Sequence, residues 1–149
     1  MLLREEGDMF DFNHQAYAQG VSNLGLMGRG IAVDFKNKYP QMFKEYKELC
    51  RNGELNPGDL FFYQDLVLPD VINLVTQDNL LHANKSYLRE SIKKMFVLAK
   101  RNDIKDIAMP EIGCGLGKLD FSDLEDMLQP FIGDSNSTVT IYSLKQPKV

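Results

Sequence analysis

Two short glycine-bearing segments carry the first chemistry this sequence suggests: Gly25-Leu26-Met27-Gly28-Arg29-Gly30-Ile31-Ala32 and Gly113-Cys114-Gly115-Leu116-Gly117. Glycine permits positive φ and has no Cβ, so backbone N–H groups at such turns can come close to a bound anion. Neither run matches the GxxxxGK[ST] phosphate loop, and neither opens a dinucleotide fingerprint with an acidic residue downstream. A single turn of this kind is as often structural as functional. Two of them, far apart in sequence, suggest a diphosphate held from both sides. Other reactive groups are few. Lys85 precedes a helical pattern that starts at Tyr87, His82 lies in the same stretch, and His14 lies near the N-terminus. A lone loop histidine is more often incidental than a proton carrier. Cys50 and Cys114 lack any CxxC-type partner, so neither a disulfide nor a zinc site is expected, and no metal or other cofactor.

The elements that must position these residues follow from periodicity. Short β-rich runs at 16–21, 60–63, 71–75, 104–109 and 139–144, with a weaker one before Gly7, alternate with helical patterns. That alternation predicts a sheet covered by helices on both faces. In 87–101, Leu88, Ile92, Met95, Phe96 and Ala99 recur at offsets of three and four and form one apolar stripe. A further helix begins near Asp120, where Ser122 and Glu125 read as a Ser-x-x-Glu capping box. Leu124, Met127, Leu128 and Phe131 supply its buried stripe. Between Gly30 and Gly53 the helical pattern is interrupted by Pro40, which predicts two consecutive helices.

A length of 149 residues, with 44% hydrophobic and 26% charged residues, suits one globular core, so residues 1–149 are expected to form a single domain with a frayed tail at 145–149. A net charge of −4 argues against a protein that coats nucleic acid through phosphate contacts alone. The lysines of 29–47 are interleaved with Asp34 and Glu45, as on a solvated helix face. No run approaches the roughly 20 apolar residues a membrane helix needs, and 1–8 do not read as a leader. The expected setting is cytoplasmic, with no membrane partner and a monomeric state.

Three segments resemble macrodomains, the ADP-ribose-binding family. Gly7-Asp8-Met9-Phe10 is similar to their Gly-Asp-hydrophobic start. Met27-Gly28-Arg29-Gly30-Ile31-Ala32 with Phe35-Lys36 is similar to their first ligand loop and its helix, and Met109 to Phe121, through Gly113-Cys114-Gly115-Leu116-Gly117, to the second. The likeness spans nearly the whole chain. It is strongest to the branch of the terminal ADP-ribose protein glycohydrolase and the DNA ADP-ribosyl glycohydrolase antitoxins; the run 35–59 resembles the antitoxins in particular. The implied fold is α/β, a three-layer αβα macrodomain with a mixed, mostly parallel central sheet. The implied ligand is ADP-ribose, free or carried on a macromolecule, DNA among the candidates.

The resemblance also assigns roles. Asp8 accepts the adenine amino group, Met9 offers a backbone contact nearby, and Tyr142 and Leu144 sit beside the base. Without the resemblance, Asp8 is a surface turn residue and Tyr142 and Leu144 a core pair. Met27, Gly28, Arg29, Gly30, Ile31 and Ala32 line the diphosphate and distal ribose, and Gly113, Cys114, Gly115, Leu116 and Gly117 close over the other face. Cys114 has a small lining residue as its family counterpart, which favours packing over nucleophilic work. Either Ser22 or Asn23 meets the distal ribose.

Lys85-Ser86 resembles the antitoxins' Lys-Ser and makes Lys85 the catalytic candidate. Burial beside the ligand would favour the neutral amine, able to attack an opened sugar aldehyde or to stabilise the transition state. The plainer alternative is a solvated lysine at a helix start, a poor place for a cation. The protein glycohydrolase has an acid after its Gly-Cys-Gly-Leu run, where this chain has Gly117. The expected activity is hydrolysis of the bond from the distal ribose to DNA-linked or acyl-linked targets. The rivals are an ADP-ribose 1″-phosphate phosphatase, a reader that binds without turnover, and a scaffold that binds no nucleotide.

Overall fold

The computed structural model describes residues 1–78, 84–114 and 119–143. The chain runs β1 (Leu2–Glu6), a 3-10 turn (Met9–Asp11), β2 (Ala16–Val21), α1 (Ile31–Lys38), α2 (Pro40–Arg51), β3 (Leu60–Tyr63), β4 (Asp70–Val75), α3 (Lys85–Arg101), β5 (Asp106–Pro110), α4 (Phe121–Ile132) and β6 (Thr138–Ser143). The six strands form one sheet in the order β1-β6-β5-β2-β4-β3. Every pairing is parallel except β3 with β4. The mixed, mostly parallel sheet expected above is therefore present.

Alternation along β2 explains the three layers, since successive side chains of a strand point to opposite faces. Ala16 and Ala18 join Ile72, Leu74 and the Leu88–Ile92–Met95 stripe of α3, with Leu124 and Leu128 of α4. Tyr17 and Val21 join Val71 and Val75, with Phe35 of α1, Met42 and Tyr46 of α2, and Tyr39 between the two helices. The sheet thus carries α3 and α4 on one face and α1 and α2 on the other. Gln19 and Asn73, fully buried within the sheet, are joined by a 2.8 Å hydrogen bond from Gln19 Nε2 to Asn73 Oδ1, while Gln19 Oε1 has no partner among the described residues.

Pro40 opens α2, and Tyr39 separates it from α1, as the sequence predicts. The charged face of these helices is solvated: Lys36 and Lys47 lie over the Phe43 ring and Lys38 over Phe10. Two local expectations are corrected. The box that starts α4 is made by Asp120 and Asp123, not by Ser122 and Glu125. Two carboxylates three residues apart serve the exposed first amides of a helix equally well, two residues earlier. The strand expected from Ile104 begins at Asp106, because Ile104 N–H still donates to Ala99 O at 2.8 Å and closes the turn after α3. Among the described residues no helix is long and apolar enough to cross a membrane.

Candidate functional site

The chain leaves β2 toward α1 on one face and leaves the adjacent, parallel β5 toward α4 on the other. Strand neighbours whose connections diverge in this way open a crevice beyond their carboxyl ends, where ligands of open α/β sheets bind. A cleft of about 800 Å³ lies there. Asp8, Met9, Gly30, Ile31, Cys114 and Tyr142 line it together, so the two glycine-bearing loops share one cavity.

The first loop ends at Gly30, which caps α1 with φ 57° and ψ −140° and no side-chain hydrogen bond. That conformation is open almost only to glycine. Val33 N–H donates to Gly30 O at 3.2 Å, but no capping side chain serves the amides of Ile31 and Ala32, which remain donors for an anion at a helix N-terminus. The second loop is tied at its base. Leu119 N–H donates to Gly113 O at 3.0 Å, and Cys114 N–H donates to Glu111 O at 3.2 Å. Gly113 has φ +82°, which favours glycine, and a Cβ there would lie 2.7 Å from Leu119 Cδ1 and push that side chain aside. Burial raises the Cys114 thiol above its ordinary pKa, helped by Glu111, Asp120 and Asp123. A thiol held protonated is a poor nucleophile, which agrees with a lining role.

At the third wall Asp8 caps the 3-10 turn: one carboxylate oxygen accepts from Phe10 N–H at 2.9 Å. Met9 is 1% exposed, so its side chain belongs to the core and only its backbone can serve a ligand. Tyr142 is both lining residue and core residue. Its ring stacks on Phe12 at 5.5 Å, and its hydroxyl lies 2.7 Å from His14 Nε2. His14 Nδ1 meets both oxygens of Asp106 at 3.1 Å. A carboxylate accepts, so Nδ1–H donates to Asp106 and Nε2 is left to accept the tyrosine hydroxyl. Burial, then Glu5 and Asp106, raise the Tyr142 hydroxyl above its ordinary pKa and keep it a donor. Tyr142→Phe would strand His14 Nε2 in a largely buried site. We expect a loss of about 1–3 kcal/mol in urea unfolding; an unchanged midpoint would deny the hydrogen bond any weight.

Several sequence-derived positions lie off this cleft. Ser22 is buried, accepts from Leu24 N–H through Oγ at 3.2 Å, and offers its carbonyl to the Tyr46 hydroxyl. Asn23 carries a buried Oδ1 that has no hydrogen-bond partner among the described residues. Met27 is 2% exposed and packs in the core. Gly28 and Arg29 are exposed and Ala32 half-buried beside the lining residues Gly30 and Ile31. Lys85 is the first residue of α3, capped by Asn84, and does not line the cleft. Its Nζ lies 3.2 Å from Asp123 Oδ1, with the lysine side chain 55% exposed. Gly115, Leu116, Gly117, Leu144 and His82 lie outside the described residues. Sequence reasoning missed Arg4 and Glu111, which line the cleft, and gave His14 no structural part. A strand residue of alternating pattern signals only that it faces one side, not which distant groups meet it there.

Fold and site together define an α/β module with a ligand cleft at the divergence of two parallel strands. Residues 19–128 match the Macro domain family, and the chain belongs to that family. The DNA ADP-ribosyl glycohydrolase of Mycobacterium tuberculosis is 30% identical over 132 residues, covering 86% of this chain and 38% of that protein. The human ADP-ribose glycohydrolase OARD1 is 26% identical over 145 residues, covering 93% of this chain and 89% of that one. Among solved structures, the macrodomain of Mycobacterium tuberculosis DarG aligns with a TM-score of 0.88 at 28% identity, over 99% of both chains. The chain thus spans 38% of the length of its mycobacterial relative.

Proposed function

We propose that this chain binds ADP-ribose in the cleft and hydrolyses the bond from its distal ribose to a modified target, DNA-linked or acyl-linked. The observation that carries the reading is the convergence of Gly30 and Cys114, from loops more than 80 residues apart in sequence, on one cavity. A diphosphate between them would meet main-chain donors. Asp8 retains a second carboxylate oxygen for the adenine amino group, with Met9 and Tyr142 beside it. Ser22 or Asn23 is the proposed contact of the distal ribose. Met27, Gly28, Arg29, Ile31 and Ala32 complete the first loop, and Gly113, Gly115, Leu116 and Gly117 the second. Lys85 is the proposed catalytic group. The names of the mycobacterial and human relatives, both glycohydrolases, support turnover rather than binding alone.

A panel of ADP-ribosylated DNA, RNA, glutamate and serine substrates tests this. Release of ADP-ribose from the DNA or glutamate conjugate is expected; binding of ADP-ribose with no release from any would leave a reader. That second reading draws support from the glycine at 117 in place of an acid and from the Lys85–Asp123 pair. A phosphatase would instead release inorganic phosphate from ADP-ribose 1″-phosphate. A monomeric state, a cytoplasmic setting and a single domain over 1–149 belong to the same proposal.

A further inference from the structure

The cleft wall carries four carboxylates, those of Glu6, Asp8, Asp34 and Glu111, and among the described lining residues Arg4 is the one cation. Its guanidinium carbon lies 3.8 Å from the centroid of the Phe121 ring. Its Nη2 donates to Glu111 Oε1 at 3.1 Å. The ring lies against the guanidinium carbon and the carboxylate holds one of its nitrogens, so the group has two partners although its side chain is 55% exposed. Arg4 lies on β1, Glu111 directly follows β5 and Phe121 opens α4, so three separate elements fix this plane. An exposed ion pair adds little stability, and nothing in the packing of β1 requires an arginine to reach into the cleft.

A planar, weakly hydrated cation backed by an aromatic ring is a stacking surface for a nucleobase, a use that lysine cannot copy. Asp8 and Tyr142, the residues proposed to meet the adenine, line the same cavity. Resting on the reading that this cleft holds ADP-ribose, we infer that Arg4 is the platform for the adenine. The purine stacks on the guanidinium face opposite Phe121, while Phe121 and Glu111 act as positioning residues that hold the plane. A different use of the same cation, as a point charge for the diphosphate, makes opposite demands: lysine would serve, and adenosine would not feel the change.

Calorimetric titration of the parent, R4A and R4K proteins with adenosine and with ADP-ribose separates these uses. R4A is expected to weaken both ligands by the same factor, roughly 5- to 150-fold, the range for losing one stacked base. R4K is expected to fall within about threefold of R4A, because the charge remains and the plane does not. Parent-like binding by R4K, or an adenosine affinity that R4A leaves intact, overturns the platform. A parent protein that binds neither ligand overturns the ADP-ribose reading, and the platform with it; a parent that binds both, with R4A unchanged, overturns the platform alone.

Discussion

Replacing Gly30 by valine is expected to cost at least about 100-fold in ADP-ribose affinity, roughly 3 kcal/mol, while leaving the protein folded. Two effects add. The residue holds φ 57° and ψ −140°, a region that strains any L side chain by roughly 1–3 kcal/mol and a β-branched one most. Among the described residues nothing lies within 4 Å of a Cβ built there, so the new side chain enters open space along the cleft. It would stand where the diphosphate must approach the α1 amides. Gly53 provides the control. It also has positive φ, +70°, and open space around a Cβ, but it follows α2 and does not line the cleft. Gly53→Val should lower the melting temperature comparably and leave the ADP-ribose affinity within about threefold of the parent, less than 1 kcal/mol. Equal affinity losses in the two variants would show that backbone strain, not access to the cleft, governs binding.

Lys85→Ala is expected to reduce hydrolysis of ADP-ribosylated DNA by about 10²- to 10⁴-fold, the range for a positioned proton-transferring or charge-stabilising group. Its ADP-ribose affinity should stay near the parent's. The amine stands at the start of α3, where the helix dipole disfavours a cation, and Asp123 compensates at 3.2 Å. Asp123 is itself fixed, since its other oxygen accepts Asp120 N–H at 2.9 Å in the capping box of α4. The Asp120 amide, then Lys85, hold the Asp123 carboxyl below its ordinary pKa. A carboxyl depressed in the fold stabilises at pH above its unfolded value, near 3.9, and loses that contribution only as the pH falls through the lower folded value. Asp123 is therefore ionised from about pH 5 upward, and a rate change between pH 5 and 8 does not come from this carboxyl. An ion pair this exposed is a weak clamp, so a hundredfold loss in K85A could not be laid to a loosened contact between α3 and α4. Parent-rate hydrolysis by K85A would remove Lys85 from the chemistry.

Much of the scaffold was legible because its signals are local. The break at Pro40 is a missing donor, the stripe of α3 is a period, and the runs at 16–21 and 60–63 are strands with those bounds. The loops were legible as glycine-rich turns, and the family resemblance brought them to one ligand. What stayed hidden depends on sheet order. Arg4 meets Glu111 across 107 residues and His14 meets Asp106 across 92, and both contacts exist only because β6 and β5 lie between β1 and β2. Periodicity carries no such information. Lys85 shows the opposite limit: the residue type and its place before Tyr87 were readable, but its partner Asp123 lies on α4 and was not.

Titrating ¹⁵N-labelled protein with ADP-ribose and following its amide resonances tests whether both loops meet one ligand. Saturable shifts are expected at Asp8, Gly30, Ile31 and Cys114, with Gly53 and the amides of α2 unmoved. Saturation that leaves those four unmoved, or no saturation at all, would contradict it.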